Sequence, residues 1–182
     1  MIHRKLLIAT AIVASVVITA CSDMTASKND LGVLPAAAIV APNSGPATVV
    51  ATINGGGTAE MQPPGLGEGT TLFGMGVKLY SDGSATGHID CVDQHGDNFP
   101  GNIFGEVTSW RMEGQVVVLN VTGKVVAFPG ARAPAGHPRP VSFTVKIQQF
   151  GGAGVGHWTL EVGATLFCVE LLTSGQIVYR PE

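Results

Sequence analysis

The chain has 182 residues and a formal charge of −3, with 10 Lys and Arg against 13 Asp and Glu. That balance leaves no basic patch for a nucleic-acid partner, and charged residues are only 13% of the chain against a usual ~25%. With 25 glycines, 11 prolines and few aromatics, and no long helical periodicity, the composition excludes a helical bundle and points to an all-β domain of short strands and tight turns.

The chain opens on Met1-Ile2-His3-Arg4-Lys5 and continues through an apolar, uncharged run from Leu6 to Ala20. A run of about fifteen residues is shorter than the about 20 a membrane span needs. It closes on Ile18-Thr19-Ala20-Cys21, a branched apolar residue and two small ones before a cysteine. This resembles the lipobox of bacterial lipoprotein signal peptides. The resemblance implies cleavage before Cys21, lipidation of that residue, and a stable hold on a membrane through two or more acyl chains. Ser22, rather than Asp, follows the cysteine, which favours the outer membrane over retention at the inner one. The alternative is an ordinary cleaved signal with an incidental cysteine. The expected organisation is a signal peptide over 1–20, a lipidated tether over 21–46 and a β domain over 47–182. The tether is rich in Ser, Ala, Asn and Pro, and Pro35, Pro42 and Pro46 discourage a regular element.

Ala47–Asn54 is the first predicted strand, stopped by Gly55-Gly56-Gly57. Thr71–Tyr80 and Ser84–Val92 form the clearest hairpin, around Ser81-Asp82-Gly83. A two-residue loop would mix its faces. A three-residue loop with Gly83 left-handed pairs Leu79 with Ala85, Val77 with Gly87, Met75 with Ile89 and Phe73 with Cys91. That register gives one apolar face, so a type I turn with a glycine bulge is expected. It turns Cys91 inward and His88 and Asp90 outward. Ile103–Trp110 and Gln115–Thr122 make a second hairpin around Glu113-Gly114, extended by Lys124–Phe128. A Pro/Ala/Gly loop over Pro129–Pro140 carries Arg132, His137 and Arg139. Val141–Gln148 alternates, with Val141, Phe143, Val145 and Ile147 on one face. Gly151–Gly156 is a turn, His157–Val162 the returning strand, and Ala164–Leu172 and Gln176–Tyr179 finish the sheet. Nine to eleven short antiparallel strands of this spacing predict a sandwich or a partly closed barrel.

Three cysteines are present. With Cys21 lipidated, Cys91 and Cys168 remain as an even pair in an oxidising compartment, which predicts a disulfide. Two buried free thiols are the alternative. Asp90, Asp93, His95 and Asp97 are the densest run of metal-ligating residue types. They lack the downstream glutamate of a calcium loop, and zinc would need three or four convergent ligands, so a polar strand-end loop is the preferred reading. No GxSxG or comparable activated nucleophile is present, and acid–base chemistry by Glu60, Glu68, Glu106 or Glu113 would need a cleft. Trp110, Trp158, Tyr80 and Tyr179 would offer a stacking surface for a sugar or peptide, or else pack between strands. Arg132, His137 and Arg139 would face an acidic partner or solvent.

Several stretches resemble a family of small secreted bacterial β domains, the post-COAP-type family. They are Gly55-Gly56-Gly57, Ser81-Asp82-Gly83-Ser84-Ala85-Thr86-Gly87-His88, Val141-Ser142-Phe143-Thr144-Val145, His157-Trp158-Thr159-Leu160-Glu161-Val162 and Ser174-Gly175-Gln176-Ile177. That family has no assigned enzymatic activity, so the likeness implies export and a β fold more than a function. Where that family carries acidic residues in a turn, this chain has Phe150-Gly151-Gly152-Ala153-Gly154. The expectation is a lipid-anchored envelope domain, non-enzymatic and without a cofactor. It contacts the membrane through its lipid and an envelope protein or glycan through its β domain. A metal-dependent or glycan-directed hydrolase using the Asp90–Asp97 region is the alternative.

Overall fold

A computed structural model describes residues 45–65, 69–94, 100–129 and 136–182. Ten strands and no helix occur among them: β1 (Val49–Met61), β2 (Thr70–Tyr80), β3 (Ala85–Asp93), β4 (Gly101–Glu113), β5 (Val116–Ala127), β6 (Arg139–Gln149), β7 (Gly151–Gly152), β8 (His157–Val162), β9 (Thr165–Leu172) and β10 (Gln176–Pro181). All pairings are antiparallel and follow chain order from β1 to β6, then β8 and β9, and β9 returns to β1. The sheet therefore closes into an eight-stranded up-and-down barrel, with β10 and β7 as additions. Of the two predicted architectures, the chain takes the barrel and closes it fully.

The β2–β3 hairpin has the expected register, with Leu79 opposite Ala85, Val77 opposite Gly87, Met75 opposite Ile89 and Phe73 opposite Cys91. Gly83 N–H donates to the Tyr80 carbonyl and Tyr80 N–H to the Ser84 carbonyl, while Gly83 has φ +83°. That is a type I turn with a glycine bulge. Asp82 fixes it, accepting from Ser84 N–H at 2.9 Å and from Ser84 Oγ at 2.6 Å. These two donors hold the Asp82 carboxyl below its ordinary pKa.

One expectation fails at Gly55-Gly56-Gly57. The strand does not stop there; β1 continues to Met61, paired with β2 from Val49 to Glu60 apart from a bulge at Val50, and with β10 from Ala51 to Gly56. Partners on both edges satisfy the backbone, so the glycines cost chain entropy without ending the ladder. Gly57 and Gly175 touch. A β-carbon on Gly57 would lie 2.2 Å from the Ser174 carbonyl oxygen, and one on Gly175 would lie 1.9 Å from that of Gly56. A second close approach joins Gly105 and Gly123, opposite each other on β4 and β5, where a β-carbon would fall 2.6 Å from the facing Cα.

Eight strands give an interior just wide enough for side chains to fill. Here Ile53, Leu79, Ile89, Leu119, Val145, Ile147, Trp158 and Leu160 fill it, each fully buried. Phe73 packs on Trp158 with ring centroids 5.7 Å apart. At about 1.5–3 kcal/mol per large apolar side chain buried, this filling is the main favourable term for the fold. The predicted faces of β6 hold, with Phe143, Val145 and Ile147 inside.

Candidate functional site

Alternation along a strand sends successive side chains to opposite faces, and this rule divides the predicted site residues. On β3, Cys91 and Asp93 point into the barrel, while His88 and Asp90 point out. The two described aspartates of the Asp90–Asp97 run therefore lie on opposite faces of the sheet. His95 and Asp97 lie outside the described residues, as do Cys21 and Arg132. Among the described residues, no three His, Cys, Asp or Glu side chains gather around a point where a metal would bind.

Inside, one end of the barrel is polar. Glu170 on β9 is 0% exposed, and Asp93 is 6% exposed. Thr71 Oγ1 donates to Glu170 Oε2 at 2.9 Å, and Glu170 Oε1 has no hydrogen-bond partner. Burial is the main cause that lifts the Glu170 pKa from 4.5 to about 7. The Thr71 hydrogen bond opposes the rise, and the nearby Asp93 charge adds to it. Cys168 lies two residues from Glu170 on the same face and is hydrogen-bonded to Cys91. That bond and burial push the Cys168 thiol well above its ordinary pKa. The pair meets as predicted, but both cysteines are free thiols in the structure, where a disulfide was expected. The small cavity beside them, bordered by Asp93, Gly101, Ile103 and Phe167, has a volume of about 10 Å³. That is room for one water at most.

Of the two readings of the aromatic residues, packing between strands describes most of them. Trp158 is in the core, because its position on β8 is an inward one. Trp110 is half-buried and donates from Nε1 to the Tyr80 carbonyl at 2.8 Å. Tyr179 packs on Phe150, with centroids 5.4 Å apart. Only Tyr80 stands on an open face, its hydroxyl 3.2 Å from Thr86 Oγ1.

That open face is the outer surface of β1, β2 and β3. Its outward positions fall in cross-strand rows: Thr52, Lys78 and Thr86; then Asn54, Gly76 and His88; then Gly56, Gly74 and Asp90; then Thr58, Leu72 and Val92. The two middle rows hold three adjacent glycines and so a floor without side chains. Shallow hollows of about 350 Å³ and about 500 Å³ open over Gly76 and Gly74. Nothing in the fold requires these glycines. A β-carbon on Gly74 would meet nothing within 4 Å, on Gly76 only Asn54 Oδ1 at 3.8 Å, and on Gly56 the Phe73 carbonyl at 3.5 Å. None of the three has a left-handed φ. On the rim, His88 Nδ1 is 3.3 Å from Glu106 Oε1, and Asp90 Oδ1 is closed to solvent with no partner.

Sequence reasoning passed over Glu170 and the glycine floor. The signal for Glu170 was a single acid in Leu166–Leu172, two residues after Cys168 and therefore on its face. Gly74 and Gly76 were legible as outward positions once the hairpin register was known. Gly56 joins them only through the β1–β2 pairing. No protein-family model, curated protein or solved structure matches the chain.

Proposed function

We propose that this chain is a lipid-anchored envelope protein whose barrel is a non-enzymatic interaction module, with the outer face of β1, β2 and β3 as its contact surface. The observation that carries the reading is the glycine floor. A glycine in a strand interior costs roughly 0.5–1 kcal/mol relative to alanine, and such positions often mark close approach by a ligand or another backbone. Gly56, Gly74 and Gly76 carry that cost with no steric need for it in the fold, so an outside partner accounts for them. The filled interior, with space for about one water beside the thiols, supports contact from outside over an enclosed reaction.

The anchor rests on Ile18-Thr19-Ala20-Cys21, and the outer-membrane assignment on Ser22. In that compartment Cys91 and Cys168 form a disulfide. Each thiol loses a proton, the sulfurs bond, and two electrons pass to an exogenous disulfide, which leaves as two thiols. Their mutual hydrogen bond in the reduced state supports this pairing.

The test uses the full chain with Cys21→Ala, so that no lipid holds it, mixed with washed envelope fragments and sedimented. Saturable co-sedimentation that falls in the Gly74→Val/Gly76→Val variant is the expected result. Equal sedimentation of both forms, or none, would overturn the reading.

A further inference from the structure

Resting on the Cys91–Cys168 disulfide of that reading, and not on its contact face, we propose that Glu170 is the proton partner of the pair. Closing the disulfide draws a proton onto the Glu170 carboxylate, and reopening it releases that proton. The thiol end of the barrel is thereby a switch in which redox state and protonation change together.

Strand alternation builds the arrangement. Cys91 and Asp93 stand two residues apart on the inward face of β3, and Cys168 and Glu170 two residues apart on that of β9. Each wall thus carries a thiol followed by an acid, and β2 adds Thr71 opposite Asp93. The hydrogen bonds form one line, Cys91 with Cys168, Cys168 with Glu170, and Thr71 Oγ1 with Glu170 Oε2 at 2.9 Å. Among the described residues, no Lys, Arg or His lies within 4 Å of the Glu170 carboxylate. Asp93 on β3 and Glu60 on β1 act on it as like charges and favour its protonated form. Its cross-strand neighbours, Trp158 on β8 and Met61 on β1, carry no charge.

The coupling follows from what sulfur offers before and after oxidation. A thiol is a weak donor and supports a carboxylate; a disulfide has no hydrogen and can only accept. Oxidation therefore removes one of the two side-chain donors that hold the Glu170 charge, in a site where desolvation already favours the acid. The protonated acid suits the oxidised pair. Oε2 keeps the Thr71 bond, and Oε1, which has no hydrogen-bond partner, takes the proton. The protons balance: the two thiol protons leave on the two thiols released from the exogenous disulfide, and Glu170 takes its own from solvent. With the pair reduced, Glu170 titrates at about 7, so the exchange falls near neutral pH. By linkage, a further rise of about half a unit makes oxidation about threefold more favourable below this window than above it.

The experiment follows the NMR signal of the Glu170 carboxyl carbon from about pH 5 to about pH 9 in the full chain carrying Cys21→Ala. One sample is reduced with a phosphine and the other is oxidised with oxidised glutathione. Glu170→Gln identifies the signal, and alkylation with mass spectrometry reads the redox state. The midpoint should lie near 7 in the reduced protein and at least about half a unit higher in the oxidised one. Cys168→Ala has neither the donor nor the disulfide and should titrate like the oxidised form, which separates loss of the S–H from any effect of the new bond. Asp93→Asn should lower both midpoints and preserve the difference between them. Equal midpoints in the two redox forms, or a Cys168→Ala midpoint at the reduced value, overturns the proposal. A pair that glutathione does not oxidise sinks the disulfide reading and this inference with it, and leaves the contact face standing.

Discussion

Thr71 Oγ1 donates to Glu170 Oε2 at 2.9 Å, joining β2 to β9 across the interior although β1 lies between them in the sheet. One carboxylate oxygen is served and the other is not. Thr71 and, more weakly, the Cys168 thiol are neutral donors, which compensate little of the desolvation of a buried charge. Cys168 and Asp93 are close by on the same interior surface, and Asp93 favours the protonated acid.

Stability should therefore fall as pH rises. In the folded state Glu170 titrates at about 7 instead of 4.5, so the native state holds the proton more tightly than the unfolded one. The contribution is fully present below the unfolded value, is lost as pH climbs through about 7, and is constant above that. At 1.36 kcal/mol per unit, the whole change is about 3 kcal/mol. Urea unfolding across this window measures it. Glu170→Gln keeps the shape without the titration and should flatten that part of the curve. An unchanged slope in the variant would count against the assignment.

The glycines should divide into two classes. Gly105→Ala and Gly123→Ala each drive a β-carbon to 2.5 Å or less from a facing carbonyl oxygen, and should cost about 1–3 kcal/mol or more. Gly74→Val places a β-branched side chain in open space on a strand, and should be neutral or stabilising by up to about 1 kcal/mol. Thermal melts of the three variants decide it. A Gly74→Val variant as unstable as Gly105→Ala would mean that the fold requires the floor glycines.

Cys91 and Cys168 should be found oxidised in protein taken from the envelope. Unfolding in an alkylating agent before reduction should leave both unlabelled, and mass spectrometry after reduction should show both labelled. Loss of the bond in a Cys168→Ser variant should lower stability by about 4 kcal/mol in the chain-entropy estimate. Full labelling without reduction would show that the reduced pair persists.

Cys21→Ala should abolish incorporation of labelled palmitate and leave the chain on the envelope only through its contact face, so that adding Gly74→Val/Gly76→Val releases it from the membrane fraction. Retained label would point to another lipidated residue. Retained sedimentation without label would instead report the contact face.

Much of this architecture was legible one strand at a time. The alternation in Val141–Gln148 and the demand for one apolar face across Ser81-Asp82-Gly83 determined the burial pattern of β6 and the register of β2 with β3, because the side-chain period of a strand is two. The same rule turned Cys91 in and Asp90 out. Local reading failed where a partner strand decided the outcome. Gly55-Gly56-Gly57 reads as a break until β2 and β10 are alongside to satisfy its backbone. Trp158 leaves a stacking and a packed position both open until the closed barrel puts its face inside.

By itself, then, the sequence determined the strand-rich character of the chain, the inward and outward sets of its hairpin, and the pairing candidates Cys91 and Cys168. These follow from local periodicity and residue chemistry. Closure of β9 onto β1 was decided by the tertiary structure alone. So were the meeting of Thr71 with Glu170, 99 residues apart, and the gathering of Gly56, Gly74 and Gly76 into one floor. Each depends on which strands become neighbours or face one another across the interior, and that is set by the packing of the whole barrel.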